Sequence, residues 1–216
     1  MLDRNPHLNI IEMWKRADSA DFAYFDHVEL FTGRFWGYET LFRQWFNTLD
    51  ASELLEIACG QGRHTALVPE GYNNIFAIDT SVDAIRIATE RFKDNPKITF
   101  CLSQDGLTIP RPNDSFTGAF SYDAMVHFEP ITMASYLKET ARVLKPGGRA
   151  LFHHSAYDRN PTGQFTESPH WRNYMTTDLF AHFASRAGLQ ILEFRAFPWS
   201  DEVVTDALTL LLKPGP

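Results

Sequence analysis

Residues 54–62 read Leu-Leu-Glu-Ile-Ala-Cys-Gly-Gln-Gly, an apolar run that breaks into a Gly-x-Gly turn. When a buried strand ends in such a turn, bare backbone can approach a ligand, because a Cβ at the glycine positions would collide with it. A second apolar run ends at Asp79, nineteen positions after Gly60. An acidic side chain at that place can accept hydrogen bonds from both hydroxyls of a ribose. The spacing therefore predicts a site for a cofactor that contains a nucleoside.

The glycine turn lacks the features that bind phosphate groups. A pyrophosphate site has a third glycine in the pattern Gly-x-Gly-x-x-Gly, whereas Thr65 stands at that place here. The phosphate-binding pattern Gly-x-x-x-x-Gly-Lys-Ser/Thr is also absent from the sequence. The turn therefore favours a cofactor with a ribose and no phosphate, of which S-adenosylmethionine is the common one.

Length and charge limit the kinds of protein that this chain can be. Its 216 residues, 44% of them hydrophobic, predict a single domain with one sizeable core. The formal net charge is −7, and no run of lysine and arginine exceeds two residues. Because such a surface does not attract a polyanion, we expect a small-molecule partner and no nucleic acid. We also expect a monomer or a homodimer.

The two cysteines indicate a reducing compartment. Cys59 and Cys101 fall in the first and third predicted strands, with the second strand between them. Neighbouring strands lie ~4.8 Å apart, so two strand spacings exceed the Cα reach of a disulfide. We expect reduced thiols in a cytoplasmic protein. No signal peptide or long apolar stretch is evident in the sequence, so we expect no membrane partner.

After residue 50 the chain alternates short β-rich runs with helical segments, a pattern typical of a parallel sheet wrapped by helices. We expect one helix opened by Gly60 and Gly62, with backbone N–H groups that face the ligand. Further helices are expected to end near Phe92, Leu144 and Ala187. The strands are expected at 53–59, 74–80, 98–104, 117–123, 149–155, about 189–197 and 206–213.

Several segments resemble one family in the expected order. Residues 120–128 read Phe-Ser-Tyr-Asp-Ala-Met-Val-His-Phe, and residues 144–149 read Leu-Lys-Pro-Gly-Gly-Arg. Together with the glycine turn and the acidic segments after the second and third strands, they resemble the class I S-adenosylmethionine-dependent methyltransferases over about residues 50–156. The resemblance implies an α/β fold, a Rossmann-like three-layer sandwich with a mainly parallel seven-stranded sheet. It also implies one domain over residues 1–216, with a helical lid at 1–50 and a cofactor-binding core at 51–216.

The resemblance implies which residues bind S-adenosylmethionine, with S-adenosylhomocysteine as the product. Asp79 would bind the ribose and Asp105 the adenine amino group, while the helix after the glycine turn would receive the methionine carboxylate. Glu56 would hold this region or the amino group, and Ala58 stands where the family usually has glycine. The expected set is Glu56, Ala58, Cys59, Gly60, Gln61, Gly62, Asp79, Thr80, Gln104, Asp105, Gly106, Tyr122 and Asp123.

The acceptor is expected to lie under two segments outside these motifs. Residues 21–49 are crowded with aromatic side chains, and the polar loop 157–176 is too long for a mere connector. We expect Phe42, Trp45 and Phe46 to be core residues. The expected substrate-binding residues are Tyr24, Tyr38, Trp171 and Arg172.

Three histidines follow strands at the sheet edge where open α/β folds bind ligands, and each is a candidate general base. His127 follows the fourth strand, at a position where some small-molecule O-methyltransferases of the family have a catalytic histidine. His153 and His154 end the fifth strand, and only one of the pair should face the crevice because strand residues alternate. We expect no metal, with a site of His153, His154 and Asp123 as the alternative.

These observations predict methyl transfer from S-adenosylmethionine to a small molecule, more at oxygen than at nitrogen. Polar side chains in loop 157–176 favour a hydroxylated acceptor such as a sugar or a natural product. The alternatives are N-methylation of a small amine and a non-catalytic protein that binds the cofactor.

Overall fold

Seven strands form one sheet in the computed structural model, which describes residues 33, 35–199 and 202–215. The strand order is β3-β2-β1-β4-β5-β7-β6, and only β7 runs antiparallel to its two neighbours. Each strand lies where the apolar runs predict one, so the predicted α/β fold with a mainly parallel seven-stranded sheet is confirmed. The strands are β1 Glu53–Ile57, β2 Asn74–Asp79, β3 Ile98–Leu102, β4 Phe116–Met125, β5 Leu144–Ser155, β6 Gln190–Phe197 and β7 Asp206–Leu212.

Helices cover both faces of the sheet, because side chains of successive strand residues point to opposite sides. On one face, the helices Pro130–Val143 and Thr177–Arg186 pack against sheet residues such as Leu55. Their contacts include Met133, Leu137 and Phe180. On the other face, the aromatic residues before and within α1 pack against sheet residues such as Phe120. The described helices are α1 Leu41–Phe46, α2 Val82–Arg91, α3 Pro130–Val143 and α4 Thr177–Arg186.

The prediction of a helix directly after the glycine turn is wrong. Only a three-residue 3-10 turn, Thr65–Leu67, separates β1 from β2. Pro69 follows Val68, whose backbone is extended, and a residue before proline is disfavoured in the helical region. The segment therefore leaves the turn without the row of helical N–H groups that was expected to receive a carboxylate.

Two irregularities interrupt the pairing of β4 with β5. Lys145–Gly148 loops out between the pairs Phe116–Leu144 and Gly118–Arg149, so β5 begins earlier than the sequence predicts. Nearer the other end, the pairing passes from Ser121–Phe152 to Met125–His154, which leaves two extra residues on β4. Asp123 lies in this bulge with a φ of +56°. Bulges of this kind re-aim side chains beside functional sites.

The described part of the N-terminal region is short. Phe42 and Phe46 are buried and Trp45 is half-buried against the same core, as predicted. The division into a lid at 1–50 and a core at 51–216 stays a prediction, since residues 1–32 and 34 lie outside the described residues. Both cysteines are free, as expected. Within the described ranges, no helix combines the length and apolar character needed to cross a bilayer.

Candidate functional site

The glycine turn is held against the end of β2 by one carboxylate. Gly60 N–H donates to Asp79 Oδ2 at 2.8 Å, and Ser81 N–H donates to Asp79 Oδ1 at 2.9 Å. Gly60 and Gly62 have φ values of +55° and +79°, which glycine adopts without strain. A Cβ at Gly62 would stand 2.7 Å from the Phe92 ring. Both glycines are therefore required by the turn itself.

Asp79 keeps capacity for a ligand in this position. Burial raises the pKa of Asp79, and the hydrogen bonds from Ser81 and Gly60 oppose that shift. Each carboxylate oxygen has two lone pairs, and the two backbone bonds use one on each oxygen. The remaining lone pairs suit the two hydroxyls of a ribose.

Glu56 lies beneath the turn as a buried acid. Its Oε2 accepts a hydrogen bond from the Thr65 hydroxyl. Burial raises the pKa of Glu56 to about 8, so the side chain is mostly protonated at neutral pH. This geometry fits the expectation that Glu56 holds the turn region; contact with an amino group stays a prediction.

Asp105 directs its carboxylate into its own loop. Oδ1 accepts from the backbone of Leu107 and Thr108 at 2.9 Å each, and Oδ2 accepts from the Thr108 hydroxyl. Burial opposes ionisation, but these hydrogen bonds lower the pKa of Asp105. Asp105 thus shapes the loop after β3, with Gln104 exposed and Gly106 buried beside it. Its contact with an adenine stays a prediction.

A network of charged side chains joins the ends of β4, β5 and β7. Arg172 donates through Nε and Nη2 to the two Asp206 oxygens at 2.8 and 2.6 Å. His153 Nε2 lies 2.8 Å from Asp206 Oδ2. Arg63 Nη2 lies 3.0 Å from Asp123 Oδ2, and Arg172 Nη2 is 4.0 Å from the other oxygen of Asp123. Two guanidinium groups and two carboxylates thus balance each other, the Arg172–Asp206 pair buried and the Arg63–Asp123 pair partly exposed.

Asp206 is the residue of this network that the sequence analysis missed. It is fully buried, and although burial opposes ionisation, the hydrogen bonds from Arg172 and His153 hold its pKa well below the usual range. An acidic residue at the head of the apolar run 206–212 is the signal that could have found it. A buried carboxylate requires a partner of this kind.

His153 and His154 point to opposite faces, as the alternation of strand residues predicts. His153 Nδ1 accepts from the Asp123 backbone N–H at 3.1 Å, so its proton is on Nε2 and is donated to Asp206. His154 Nδ1 donates to the Ser155 carbonyl, its Nε2 accepts from the Thr209 hydroxyl, and its ring stacks on Phe180. Both nitrogens of each ring are thus engaged inside the protein in this geometry, and the expectation that one of the two is the general base stays a prediction.

His127 is the remaining histidine candidate. Its Nδ1 lies 2.8 Å from the Trp171 carbonyl, which can only accept, so Nδ1 has the proton and Nε2 has the lone pair. Burial lowers the pKa of His127 to about 4, so the ring is neutral at physiological pH. The ring is in the form that a base requires, although the low pKa makes it a weak one.

The expected substrate-binding residues do not meet in one place. Tyr38 is 83% exposed beside Arg43, whereas Arg172 is 3% exposed and engaged with Asp206. Arg172 therefore links the loop to β7 in this geometry, and its role in substrate binding stays a prediction. Trp171 is half exposed, and Tyr24 lies outside the described residues.

Aromatic rings surround the network on the α1 side of the sheet. Tyr122 stacks on His153 with ring centroids 4.5 Å apart, and the Phe35 ring centroid lies 4.9 Å from that of Tyr122. The Arg172 guanidinium lies over the Trp199 ring at 4.8 Å. Tyr122, placed among the cofactor residues by the resemblance, thus lines the same edge of the sheet as the network.

The residues at this edge fit a cofactor that joins a ribose to a charged tail. Asp79 retains acceptor capacity for hydroxyls, and the turn exposes backbone beside it. Two buried donors, Nη1 of Arg63 and Nε2 of His64, meet no acceptor among the described residues. A ligand with an acceptor group would satisfy them.

No cluster of three or more potential metal ligands of the His, Cys, Asp or Glu type occurs in the described parts of the chain. The alternative trio of His153, His154 and Asp123 is not assembled, because the two rings occupy opposite faces of the sheet.

Comparisons with known proteins agree with the fold and the turn. Residues 54–148 match a family model described as a methyltransferase domain. The O-methyltransferase rstn1 of Aspergillus nomiae is 27% identical over 107 residues, 48% of this chain and 46% of that protein. An O-methyltransferase of Pyrenophora dematioidea is 30% identical over 100 residues, 44% of this chain and 36% of that protein. The match thus spans less than half the length of each relative.

Among solved structures, that of the [4+2]-cyclase SpnF has a TM-score of 0.65 at 16% identity, covering 82% of this chain and 79% of that chain. This similarity shows a shared fold. Within residues 54–148, less than half of its length, the chain is therefore similar to a methyltransferase domain.

Proposed function

We propose that this chain transfers a methyl group from S-adenosylmethionine to a hydroxyl oxygen of a small molecule, such as a sugar or a natural product, and releases S-adenosylhomocysteine. The observation that carries the proposal is the Asp79 carboxylate, fixed against the Gly60 turn with lone pairs left for a ribose. The names of the two fungal relatives, both O-methyltransferases, support oxygen as the acceptor atom.

S-Adenosylmethionine, when bound, would supply a methyl group on a positively charged sulfur. The chain's own residues supply position, since alignment of the reacting atoms contributes much of the acceleration. Asp79 and the glycine turn fix the nucleoside end, and the rings around Tyr122 form an apolar wall that excludes water. An acceptor hydroxyl loses its proton as the new C–O bond forms, and His127 Nε2 is the candidate group to take it.

One observation favours the alternative of N-methylation. The lowered pKa of His127 makes it a weak base, and a neutral amine already has a lone pair and requires no prior deprotonation. Since the fold is also that of the cyclase SpnF, the proposal requires evidence of methyl transfer as well as of binding.

Calorimetric titration with S-adenosylmethionine, S-adenosylhomocysteine and NAD tests the cofactor first. We expect micromolar binding of the two sulfur compounds and none of NAD, because the turn has no third glycine for a pyrophosphate. Tighter binding of NAD would overturn the proposal. An acceptor screen over sugars, phenols and amines, read by mass spectrometry of the product, then distinguishes oxygen from nitrogen.

The Asp79→Asn variant tests the role of the carboxylate. Its amide retains one oxygen for the turn but loses the second acceptor, so affinity for S-adenosylhomocysteine should fall at least about tenfold. Asp83→Asn, exposed on α2, is the matched control and should bind as the wild type does. Equal affinity in Asp79→Asn and wild type would remove Asp79 from the site.

A further inference from the structure

Two buried hydrogen-bond donors follow the glycine turn directly. His64 is 3% exposed, and its Nδ1 accepts from the Trp36 indole N–H at 3.0 Å, so its proton is on Nε2. That Nε2 and the Nη1 of Arg63 are both buried, and neither meets an acceptor in residues 33, 35–199 and 202–215. A guanidinium and a protonated ring nitrogen can only donate. Since buried donors in folded proteins are nearly always paired, these two point to an acceptor group from outside the described residues.

Both donors lie between the turn and the end of β4. The second nitrogen of Arg63, Nη2, contacts Asp123 Oδ2 at 3.0 Å. The His64 ring centroid is 5.3 Å from that of Tyr122, the residue before Asp123. Burial first, and then the Arg63 charge, hold the pKa of His64 well below its usual range. The ring therefore stays neutral and keeps Nε2 as a donor at physiological pH.

The chemistry of the pair selects an anionic oxygen group. A guanidinium recognises carboxylates and phosphates, in which two oxygens can accept together. The turn disfavours phosphate because it lacks the glycine patterns of phosphate sites. A carboxylate is the remaining class, and it could come from the methionine part of the cofactor or from an acidic acceptor.

We propose that Arg63 Nη1 and His64 Nε2 bind the carboxylate of the cofactor's methionine part. This inference rests on the proposed function. The helix expected to receive that carboxylate does not exist, since only the 3-10 turn Thr65–Leu67 follows. The side chains of the two residues before this 3-10 turn supply donors in place of the missing backbone N–H groups. Asp123 balances the Arg63 charge and orients the guanidinium.

The test compares two ligands that differ in the amino-acid part alone. S-Adenosylhomocysteine has the carboxylate, whereas 5′-methylthioadenosine has the same nucleoside and sulfur without it. In His64→Asn, the amide oxygen replaces Nδ1 as the acceptor for Trp36, and the distal donor is lost. His64→Gln retains a donor near the position of Nε2. Arg63→Lys keeps the charge beside Asp123 but loses the planar pair of donors.

We expect His64→Asn and Arg63→Lys each to lower the affinity for S-adenosylhomocysteine at least about tenfold in calorimetry. This is the usual scale for losing a hydrogen bond to a charged group. Binding of 5′-methylthioadenosine should change less than about twofold, since it makes no carboxylate contact. His64→Gln should restore most of the affinity. Arg86→Met, which removes one exposed positive charge on α2, should leave both ligands unaffected.

Equal losses for the two ligands would overturn the inference, because they would show a structural role for the pair. Unchanged affinity for S-adenosylhomocysteine in both variants would also overturn it and leave an acidic acceptor as the source of the carboxylate. If the wild type binds neither ligand, the proposed function itself fails, which is a distinct result. Far-UV circular dichroism shows which variants are folded, and Arg63→Lys keeps the test valid if His64→Asn does not fold.

Discussion

The two halves of the sheet edge are built in different ways. At the ends of β1, β2 and β3, the glycine turn and the Asp105 loop are each held by backbone N–H groups that donate to one carboxylate. At the ends of β4, β5 and β7, the contacts are between charged side chains, and His153 and Asp206 are 53 positions apart. A site assembled from local turns can be recognised in a sequence, whereas one assembled from distant charges becomes visible only in the fold.

The largest expected effect comes from removing the centre of the charged half. Asp206→Leu leaves the Arg172 guanidinium and the His153 Nε2–H buried without their acceptor. Breaking a buried ion pair in this way costs about 3–5 kcal/mol of folding free energy. Urea unfolding followed by circular dichroism measures the loss.

The matched control for that prediction is Asp83→Leu, which removes an exposed carboxylate whose partner, Arg86, is also exposed. Its free energy of unfolding should stay within about 0.5 kcal/mol of the wild type, as for most surface changes. If Asp206→Leu behaves like this control, the charged half does not stabilise the fold.

An intermediate effect should appear in the pH dependence of stability. Burial lowers the pKa of His154 to about 3, whereas an unfolded histidine titrates near 6.5. The unfolded chain therefore takes up a proton first as the pH falls, so this contribution is complete above about pH 6.5 and decreases below it. His154→Gln removes this group. Between pH 6 and 5, the free energy of unfolding of the variant should therefore fall by roughly 1 kcal/mol per pH unit less than that of the wild type.

Urea unfolding at both pH values measures that slope. His182→Gln, an exposed position on α4, is the control and should keep the wild-type slope. An unchanged slope in His154→Gln would mean that this ring is not buried as a neutral group. The result also separates His154, which packs among apolar residues on Phe180, from the charged half on the opposite face.

The smallest expected effect lies in the locally built half. Ala58 has a φ of +58°, where an L side chain is strained and the family usually has glycine. Ala58→Gly should therefore raise the free energy of unfolding by about 1 kcal/mol. Gly62→Ala is the opposite change, since its Cβ would meet the Phe92 ring, and it should destabilise. A loss of stability in Ala58→Gly would contradict the strained backbone.

The sequence predicts nearly all of the fold, because each strand is an apolar run of ordinary length between turn residues. The helix after the glycine turn is the main error. The family resemblance suggested it, but Pro69 disfavours helix at Val68, and few residues remain before β2. The proline and the short distance to β2 were therefore sufficient to exclude that helix from the sequence.

The candidate site is predicted less completely. The glycine turn and Asp79 can be predicted from their spacing in the sequence. The partners of His153 and His154 cannot, since the alternation of strand residues predicts only that the two rings point to opposite faces of the sheet. Asp206 and Thr209, which engage these rings, lie on a strand inserted next to β5 from the far end of the sequence. No periodic pattern of apolar residues in the sequence predicts that β7 lies between β5 and β6.

The insertion of β7 between β5 and β6 also sets the order in which the two halves can form during synthesis. A ribosome releases the amino-terminal part of a domain first. Everything that holds the glycine turn is present once the chain has passed β3, whereas His153 and Arg172 wait for Asp206 to emerge. Until then, the Arg172 guanidinium of a nascent chain has no close carboxylate partner, so cooperative closure of this half waits for β7.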